Sequence, residues 1–401
     1  MTTGAGMDIV VVGAGIGGLC AAACLLRDGH RVRVVEQSAR PGELGAGVQM
    51  SANAMKVLEH LGLRGALEPH AVRPLAFEFR RWDSGAMLHR LPLGAAHEQR
   101  HGAPYFQLHR ADLHGALLAA VQALAPDALH LGRRVQGVEE RSDAAALRLD
   151  DGSALDAELV VGADGIKSVV RRHVLGDDRP VFTGQVAWRC TVPTAAIPPE
   201  LRTDVVSTIW CGPQNHAVTY YLRGGELLNF VGCVERPWEE ESWTAVAPWE
   251  ELDADYRGWH PMVRAVVERV DRGACFRWAL NNRVPSPVWG TERVTLLGDA
   301  VHATLPYLAQ GAAMAIEDAA VLARCLALPQ PLPERLRTYQ DHRAPRTARV
   351  VRESTEMGEL YHIGDAQAMQ RAFDERNIAR SRNEWLYPYD ALRGPLTAGP
   401  A

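Results

Sequence analysis

Three short segments place glycines and carboxylates at spacings that suit a single ligand. They are residues 11–19, 162–165 and 296–302. In the first, Gly13 allows a tight turn, Gly15 lets the backbone approach a pyrophosphate, and Gly18 lets the following helix lie close to its strand. Glu36 follows about 20 residues later, at the end of an apolar run, where a carboxylate can accept hydrogen bonds from ribose hydroxyls. The pattern predicts an adenine dinucleotide as the ligand.

The other two segments each present an aspartate beside glycine. Asp299 follows the apolar run 294–297 and can accept a hydrogen bond from a ribityl hydroxyl, without a bulky side chain in the way. An aspartate at such a position can also be a helix N-cap or a turn residue, and the same alternative applies to Asp164. Glu36 taken alone could be a solvated charge at the end of a strand. Together the three segments favour a single dinucleotide-binding site.

Apolar periodicity predicts the elements that position these residues. A βαβ unit should end near Glu36, and residues 45–49 should form a loop. Helices are predicted at 52–61, 113–124, 249–258, 262–270, 312–328 and 332–352. Residues 133–140 and 145–161, around the turn 150–152, indicate a β-ribbon, and residues 181–233 indicate an antiparallel sheet. The predicted fold class is α/β, with a Rossmann-type dinucleotide-binding domain (1–180 and 286–401), an inserted antiparallel β-sheet domain (181–285) and C-terminal helices.

Composition indicates a soluble enzyme. The 401 residues are 47% hydrophobic and carry a net charge of -5, which argues against nucleic acid as a partner. The arginine-rich run 335–352 also contains Asp341 and apolar residues at helical spacing, so it is predicted to be a solvated amphipathic helix. Residues 7–26 lack a basic flank and are interrupted by glycines, which argues against a signal peptide or membrane span.

The seven cysteines are odd in number and scattered, and they match neither a disulfide framework nor a zinc spacing. We therefore expect no metal site and a cytoplasmic location. Cys20 and Cys24 lie one helical turn apart and are predicted to be buried as small apolar residues.

The chain resembles the single-component FAD-dependent aromatic hydroxylases, whose fold is para-hydroxybenzoate hydroxylase-like. The resemblance makes the Rossmann-type domain an FAD-binding domain and the inserted domain a substrate domain. The resemblance rests on three segments, residues 11–19, 159–171 and 296–302. Their order and spacing match those of the family along nearly the whole chain. The chain looks closest to the group that includes 3-hydroxybenzoate 6-hydroxylase, salicylate hydroxylase and 6-hydroxynicotinate 3-monooxygenase. That closer likeness is carried by residues 212–216, Tyr220, residues 222–226 and residues 309–319.

The resemblance implies further cofactor contacts. The flavin pyrimidine edge is expected at Gly311 and Ala312, where a helix begins and its free N–H groups can face an electron-rich group. Asp164 is expected near the pyrophosphate and the route of the nicotinamide donor. Other implied FAD contacts are Gln37, Arg110 and Val135. The resemblance implies that NADH, with NADPH as an option, binds transiently, so a second Gly-x-Gly-x-x-Gly is not expected and none is present.

Chemistry on the substrate is predicted at His216 and Tyr220. They are four residues apart, so on an alternating strand both face the same side of the sheet, while Tyr221 faces the other side and should only pack. Histidine has a near-neutral pKa suited to accepting a proton, and a tyrosine hydroxyl can donate to or accept from a phenol. A surface histidine and a core tyrosine are the alternative from the residues alone.

The resemblance places Gln49 and Tyr307 in the wall of the substrate pocket, although Tyr307 could be plain core. Arg189 and Arg223 are candidate partners for a substrate carboxylate, and surface charges are the alternative. The family often has proline directly after the histidine of the third motif, whereas His302 is followed by Ala303 here. This departure puts the detailed pocket shape in doubt.

The predicted function is hydroxylation of a small phenolic or hydroxypyridine carboxylate, by a monomer or homodimer without membrane association. The resemblance implies that NADH reduces FAD, that O2 adds to the reduced flavin as a C4a-hydroperoxide, and that a hydroxyl is transferred to the ring of the phenolate. One alternative is a flavin enzyme acting on a larger aromatic natural-product intermediate; the Trp-x-Trp-x-Ile-Pro segment of halogenases is absent. A non-catalytic dinucleotide-binding regulator is the other.

Overall fold

The structure is a computed structural model that describes residues 6–40, 47–238, 245–378 and 382–396. Its strands are β1 (Asp8–Val12), β2 (Arg31–Glu36), β3 (Gly47–Met50), β4 (Ala76–Arg81), β5 (Met87–Pro92), β6 (Phe106–His109), β7 (Leu129–Leu131), β8 (Val135–Glu140), β9 (Ala145–Leu149), β10 (Ala154–Ala157), β11 (Leu159–Gly162), β12 (Val181–Pro193), β13 (Ser207–Gly212), β14 (Asn215–Leu222), β15 (Leu227–Glu235), β16 (Ala245–Val246), β17 (Phe276–Asn282) and β18 (Val294–Leu296). Its helices are α1 (Ile16–Arg27), α2 (Ala52–His60), α3 (Arg64–Leu67), α4 (Gly94–His101), α5 (Arg110–Leu124), α6 (Val169–Leu175), α7 (Trp249–Asp255), α8 (Pro261–Val267), α9 (Asp299–His302), α10 (Gly311–Leu326), α11 (Leu332–Tyr361) and α12 (Ala366–Glu375).

A five-stranded parallel sheet carries the N-terminal motif. Its order is β18-β11-β1-β2-β7, so the segment that begins at Val294 returns to the sheet that β1 starts. Residues 9–12 are buried, since α1 packs against β1 and β2 and is itself covered by α5 and α10. Strands that are buried on both faces read as continuous apolar runs, which is why β1 and β18 could be recognised from the sequence.

The predicted ribbon is a separate three-stranded sheet in the order β10-β9-β8. The prediction was wrong in extending it to Val161, because β11 leaves the ribbon and pairs in parallel with β1 and β18. Residues 159–161 are fully buried. A short apolar run of this kind fits a buried parallel strand better than the edge of a ribbon.

An eight-stranded sheet forms the second large unit, in the order β16-β17-β12-β15-β14-β13-β4-β5. One face packs on α7 and α8, and the other faces α11 and α12. Strands β4 and β5 come from before residue 181 and join β13 through a parallel pairing. The division of the chain at residues 181 and 285 stays a prediction.

The long C-terminal helix extends beyond its predicted end at residue 352. Helix α11 continues to Tyr361 although Pro345 lies inside it. Val350, Ser354, Met357 and Tyr361 are all buried, so the apolar stripe continues at helical spacing through the last turns. This extension brings the C-terminal end of α11 against the large sheet.

All seven cysteines are free and buried, and Cys20 and Cys24 lie within the core of the parallel-sheet unit as predicted. No helix in the described ranges is both long and apolar enough to cross a membrane.

Candidate active site

The turn between β1 and α1 requires glycine at two positions. Gly13 has φ +101°, and a Cβ there would lie 2.5 Å from the carbonyl oxygen of Ala163. A Cβ on Gly18 would lie 2.0 Å from the carbonyl oxygen of Gly13. Gly15 lies immediately before α1, whose first turn has no acidic side chain. The free N–H groups at this helix start therefore suit an anion such as a pyrophosphate.

Glu36 lies beside this turn at the end of β2. Its Oε2 accepts from the Ala14 N–H at 2.8 Å and its Oε1 accepts from the Ser38 N–H at 2.8 Å. These bonds fix the carboxylate next to the glycine turn. Gln37 is exposed next to it, and Val135 packs in the core of the same unit. Contact of these three residues with FAD stays a prediction.

The Asp164 side chain holds the start of α6. It accepts from the Ser168 hydroxyl and from the N–H groups of Val169 and Val170, at 2.7 and 3.2 Å for the two N–H groups. Burial raises the pKa of this carboxyl group. Asp164 thus takes the turn role that the sequence left open, while its neighbours Ala163 and Gly165 line the cavity described next.

A cavity of about 360 Å³ separates the parallel-sheet unit from the large sheet. The predicted residues that line it are Gly15, Gln49, Arg110, His216, Tyr220, Asp299, Tyr307, Gly311 and Ala312. Residues predicted for the cofactor and for the substrate therefore share one space. Its volume is in the range usual for ligand sites.

Asp299 begins α9 at the cavity wall and interacts electrostatically with Arg110. The preceding Gly298 has φ +63° and donates its N–H to Asp318 Oδ2 at 3.0 Å. Asp318 also contacts His302 Nε2 at 2.6 Å and accepts from Arg343 Nε at 2.7 Å. His302 therefore faces this buried network, which the sequence analysis did not anticipate.

A second set of polar contacts holds the start of α10. Gln310 Nε2 donates to Ser51 Oγ at 2.9 Å, and Asn53 Nδ2 donates to Gln310 Oε1 at 2.9 Å. Ala309 adopts a left-handed backbone with φ +54°, which is strained for a residue other than glycine. The contacts present Gly311 and Ala312 to the cavity, where the positive end of a 16-residue helix can stabilise negative charge.

We expect Asp299→Ala to lose flavin while the fold is retained. Loss of a charge-assisted hydrogen bond costs about 1.5–3 kcal/mol, or about ten- to a hundredfold in Kd. The measurement is the flavin-to-protein absorbance ratio after gel filtration, with circular dichroism as the fold check. Asp177→Ala, at an exposed aspartate, is the control. Unchanged flavin retention in Asp299→Ala would remove Asp299 from the cofactor site.

His216 and Tyr220 lie on the cavity face of β14, and both side chains are buried. Tyr221 packs on the opposite face, where its hydroxyl donates to the Thr203 carbonyl at 2.9 Å. The alternation of the strand thus separates the three side chains as predicted.

His216 is held among aromatic rings. Its ring centroid lies 4.9 Å from that of Tyr307 and 5.2 Å from that of Tyr361, and its Nδ1 lies 2.7 Å from Nε2 of His362. Burial, together with His362, lowers the pKa of His216 well below its usual value of 6.5. The imidazole is therefore neutral at neutral pH and able to accept a proton.

Tyr220 packs against the backbone of β3. A Cβ on Gly47 would lie 2.3 Å from the Tyr220 hydroxyl oxygen, so the tyrosine requires glycine there. Burial raises the pKa of Tyr220, and the nearby Arg189 and Gln49 only partly oppose this. Gln49 in turn accepts from the Tyr105 hydroxyl at 2.8 Å. Tyr220 thus remains a protonated hydrogen-bond donor at neutral pH.

Gly47→Ala should displace Tyr220, because the new methyl group would overlap its hydroxyl. We expect full flavin content but a fall of about tenfold in product formed per NADH consumed, since the loss of one hydrogen bond of about 1.4 kcal/mol corresponds to about a tenfold change in rate. Product is quantified by mass spectrometry. Gly115→Ala, where a Cβ meets open space on α5, should match the wild type. Wild-type coupling in Gly47→Ala would show that the Tyr220 position is unimportant.

The two arginines proposed for a substrate carboxylate have different surroundings. Arg189 lines the cavity, lies over the Trp278 ring at 4.2 Å, and has its pKa lowered to about 10 by burial. Arg223 is on the surface, where it pairs with Asp112 at 3.0 Å. The surface alternative is therefore correct for Arg223.

A further cavity arginine, Arg382, was missed by the sequence analysis. It is 2% exposed, lies over the Phe77 ring at 4.7 Å, and donates to the Tyr387 hydroxyl at 3.3 Å. Its Nε is buried without a hydrogen-bond partner in the described part of the chain. No local pattern could have identified it, because it reaches the cavity only through the packing of the C-terminal segment.

The residues of this site fit FAD. Two helix starts, α1 and α10, and the carboxylate of Asp299 border a single cavity, and glycines leave room for close approach of a ligand. The part of the cavity next to the large sheet is lined by a neutral imidazole, tyrosines and arginines. Fold and site together define a flavoprotein hydroxylase.

The chain belongs to the FAD binding domain family, whose model matches residues 6–354. A 3-amino-4-hydroxybenzoate 2-monooxygenase from Streptomyces cremeus is 42% identical over 387 residues, covering 94% of each chain. A 6-hydroxynicotinate 3-monooxygenase from Bordetella bronchiseptica is 36% identical and covers 98% of this chain and 97% of the relative. Klebsiella pneumoniae HpxO, solved with FAD and uric acid, matches with a TM-score of 0.85 at 27% identity, covering 97% and 98%.

These findings confirm the predicted family, the fold class, the bound FAD and the use of O2. The protein is an FAD-dependent aromatic monooxygenase. The two alternatives, a hydroxylase of larger natural products and a dinucleotide-binding regulator, are not better supported by these relatives than hydroxylation of a small aromatic acid.

Proposed function

We propose that this enzyme hydroxylates a one-ring aromatic carboxylate that carries a phenolic hydroxyl, with 3-amino-4-hydroxybenzoate as the first candidate. The observation that carries the proposal is a single cavity with a neutral histidine and two arginines, the half-buried Arg189 and the buried Arg382. The relative that is 42% identical is named for that substrate, and a second relative is named for a hydroxypyridine carboxylate.

In this proposal the two kinds of side chain act on different parts of the substrate. His216 accepts the phenolic proton at Nε2, because its Nδ1 is engaged by His362. Tyr220 donates a hydrogen bond that orients the phenolic oxygen. A carboxylate on the ring pairs with a buried arginine, which offsets the cost of burying that cation.

FAD, when bound, supplies the reducing equivalents that activate O2. Gly15, Arg110, Asp299, Gly311 and Ala312 hold it at the cavity wall. Tyr307, Tyr361 and Phe77 line the substrate side and exclude water, which keeps reducing equivalents from being lost as hydrogen peroxide. Ionisation of the phenol makes the ring carbon electron-rich and ready for hydroxylation.

NADH as the donor, a monomeric or homodimeric state and a cytoplasmic location belong to the same proposal. The seven free cysteines support a reducing compartment. Contact of FAD with Gly13, Gly18, Glu36, Gln37, Val135 and Asp164 is also proposed.

The test is a substrate screen with the purified yellow protein. NADH oxidation is followed with 3-amino-4-hydroxybenzoate, 3-hydroxybenzoate, salicylate and 6-hydroxynicotinate, and products are identified by the gain of one oxygen atom. We expect at least one of these acids to stimulate oxidation and to be hydroxylated. Turnover only with a larger polycyclic phenol would overturn the proposal.

A further inference from the structure

Two side chains behind His216 continue from the cavity toward the surface. His216 Nδ1 lies 2.7 Å from His362 Nε2, and His362 Nδ1 lies 2.7 Å from Glu235 Oε1. The His362 side chain is 4% exposed, whereas that of Glu235 is 42% exposed. Three side chains from β14, the end of α11 and β15 thus connect the inner wall of the cavity with solvent.

We propose that His216, His362 and Glu235 form a proton relay that carries the phenolic proton of the substrate from the cavity to solvent. The relay rests on the proposed function only for the identity of the proton source. His362 and Glu235 are positioning and transfer groups that act through His216, since His216 alone lines the cavity.

The partners of each ring select one tautomer. An ionised Glu235 can only accept, so His362 donates from Nδ1 and accepts at Nε2. His216 must then donate from Nδ1, which leaves the Nε2 lone pair for a proton from the cavity. These tautomers follow from the hydrogen-bond pattern.

The transfer balances in three steps. The phenolic O–H breaks as His216 Nε2 gains a proton, and the Nδ1 proton of His216 passes to Nε2 of His362. The Nδ1 proton of His362 then passes to Glu235, whose carboxyl group releases it to water. Both rings stay neutral and exchange tautomers, and the reverse transfer restores them when the product oxygen takes up a proton.

Burial makes this path preferable to holding a proton on His216. Burial lowers the pKa of both His216 and His362, so a cation on either ring is disfavoured. The titratable side chains around the pair include Cys211, Cys233, Tyr256, Tyr307 and Tyr361. Burial raises the pKa of each, so all five stay neutral. Arg236, next to Glu235, is paired with Glu251 and Asp255.

The relay is tested by proton release when the oxidised holoenzyme binds 3-amino-4-hydroxybenzoate, followed in stopped flow with a pH indicator. We expect Glu235→Gln and His362→Gly to slow release by about tenfold or more, with substrate affinity changed little. Free imidazole should restore fast release in His362→Gly, which a purely structural role would not predict. Glu356→Gln, an exposed glutamate paired with Arg376, should match the wild type.

Wild-type release rates in both Glu235→Gln and His362→Gly would overturn the relay. Nitrogen-15 NMR of the substrate-free holoenzyme tests it independently of the substrate, because His216 and His362 should both carry their protons on Nδ1. A proton on Nε2 of either ring would break the path and overturn the relay. Failure of every acid in the screen would instead overturn the proposed function and leave this NMR result to decide on the relay.

Discussion

We expect His216→Ala to lower the rate of hydroxyl transfer by about 10²- to 10⁴-fold, the usual effect of losing a general base, in a protein that stays yellow and is still reduced by NADH in the presence of substrate. The reason is that an un-ionised phenol is a poor nucleophile. Reducing equivalents should then appear as hydrogen peroxide. The measurement is the ratio of hydroxylated product to NADH consumed.

Two further variants make this result specific. Tyr220→Phe should show a milder loss of coupling, since it removes one hydroxyl and leaves the ring that fills the space against Gly47. His173→Ala, at a partly exposed histidine of α6, should behave as the wild type. Wild-type coupling in both His216→Ala and Tyr220→Phe would make this pair structural.

The lowered pKa of His216 also sets a pH dependence. A histidine with a depressed pKa stays neutral, and thus competent as a base, as the pH falls through the usual value of 6.5. Coupling in the wild type should therefore persist below that pH and fail only under more acidic conditions. Loss of coupling centred near 6.5 would contradict a neutral buried imidazole.

Arg343→Met should destabilise the protein by about 3–5 kcal/mol, because removing the central cation of a buried network leaves two carboxylates with only Arg346 and His302 as their cationic partners. Arg343 contacts Glu317 and Asp318 at 2.7 Å each, and all three side chains are fully buried. Asp318 also holds the Gly298 N–H, so flavin retention should fall as well. Urea unfolding at saturating FAD measures the free energy of unfolding.

The control for this variant lies on the same helix. Arg349 is 49% exposed and pairs with Glu353 one turn away, and exposed pairs of this kind contribute about 0–1 kcal/mol. Arg349→Met should therefore change the free energy of unfolding by less than about 1 kcal/mol. Equal effects of the two substitutions would show that the buried network has no special role.

Much of the cofactor side could be predicted because its signals are local. The tight turn at Gly13 and the helix that follows it depend on a few consecutive residues, and buried parallel strands such as β1 read as apolar runs. The same holds for His216 and Tyr220, whose common face follows from the period of a strand alone. Local signals are ambiguous where a side chain has a choice of partner. Asp164 therefore turned out to hold the start of α6, and Arg223 to pair with Asp112 on the surface.

By itself, then, the sequence determined the glycine turn between β1 and α1 and the start of α10 at Gly311. It also determined that His216 and Tyr220 lie on the same face of one strand. Only the tertiary structure decided what surrounds that pair. His216 and His362 are 146 residues apart and meet because α11 continues past its predicted end and docks on the large sheet. Arg382 reaches the same cavity from the C-terminal segment. Such contacts depend on how separate elements pack, and no spacing within one element encodes them.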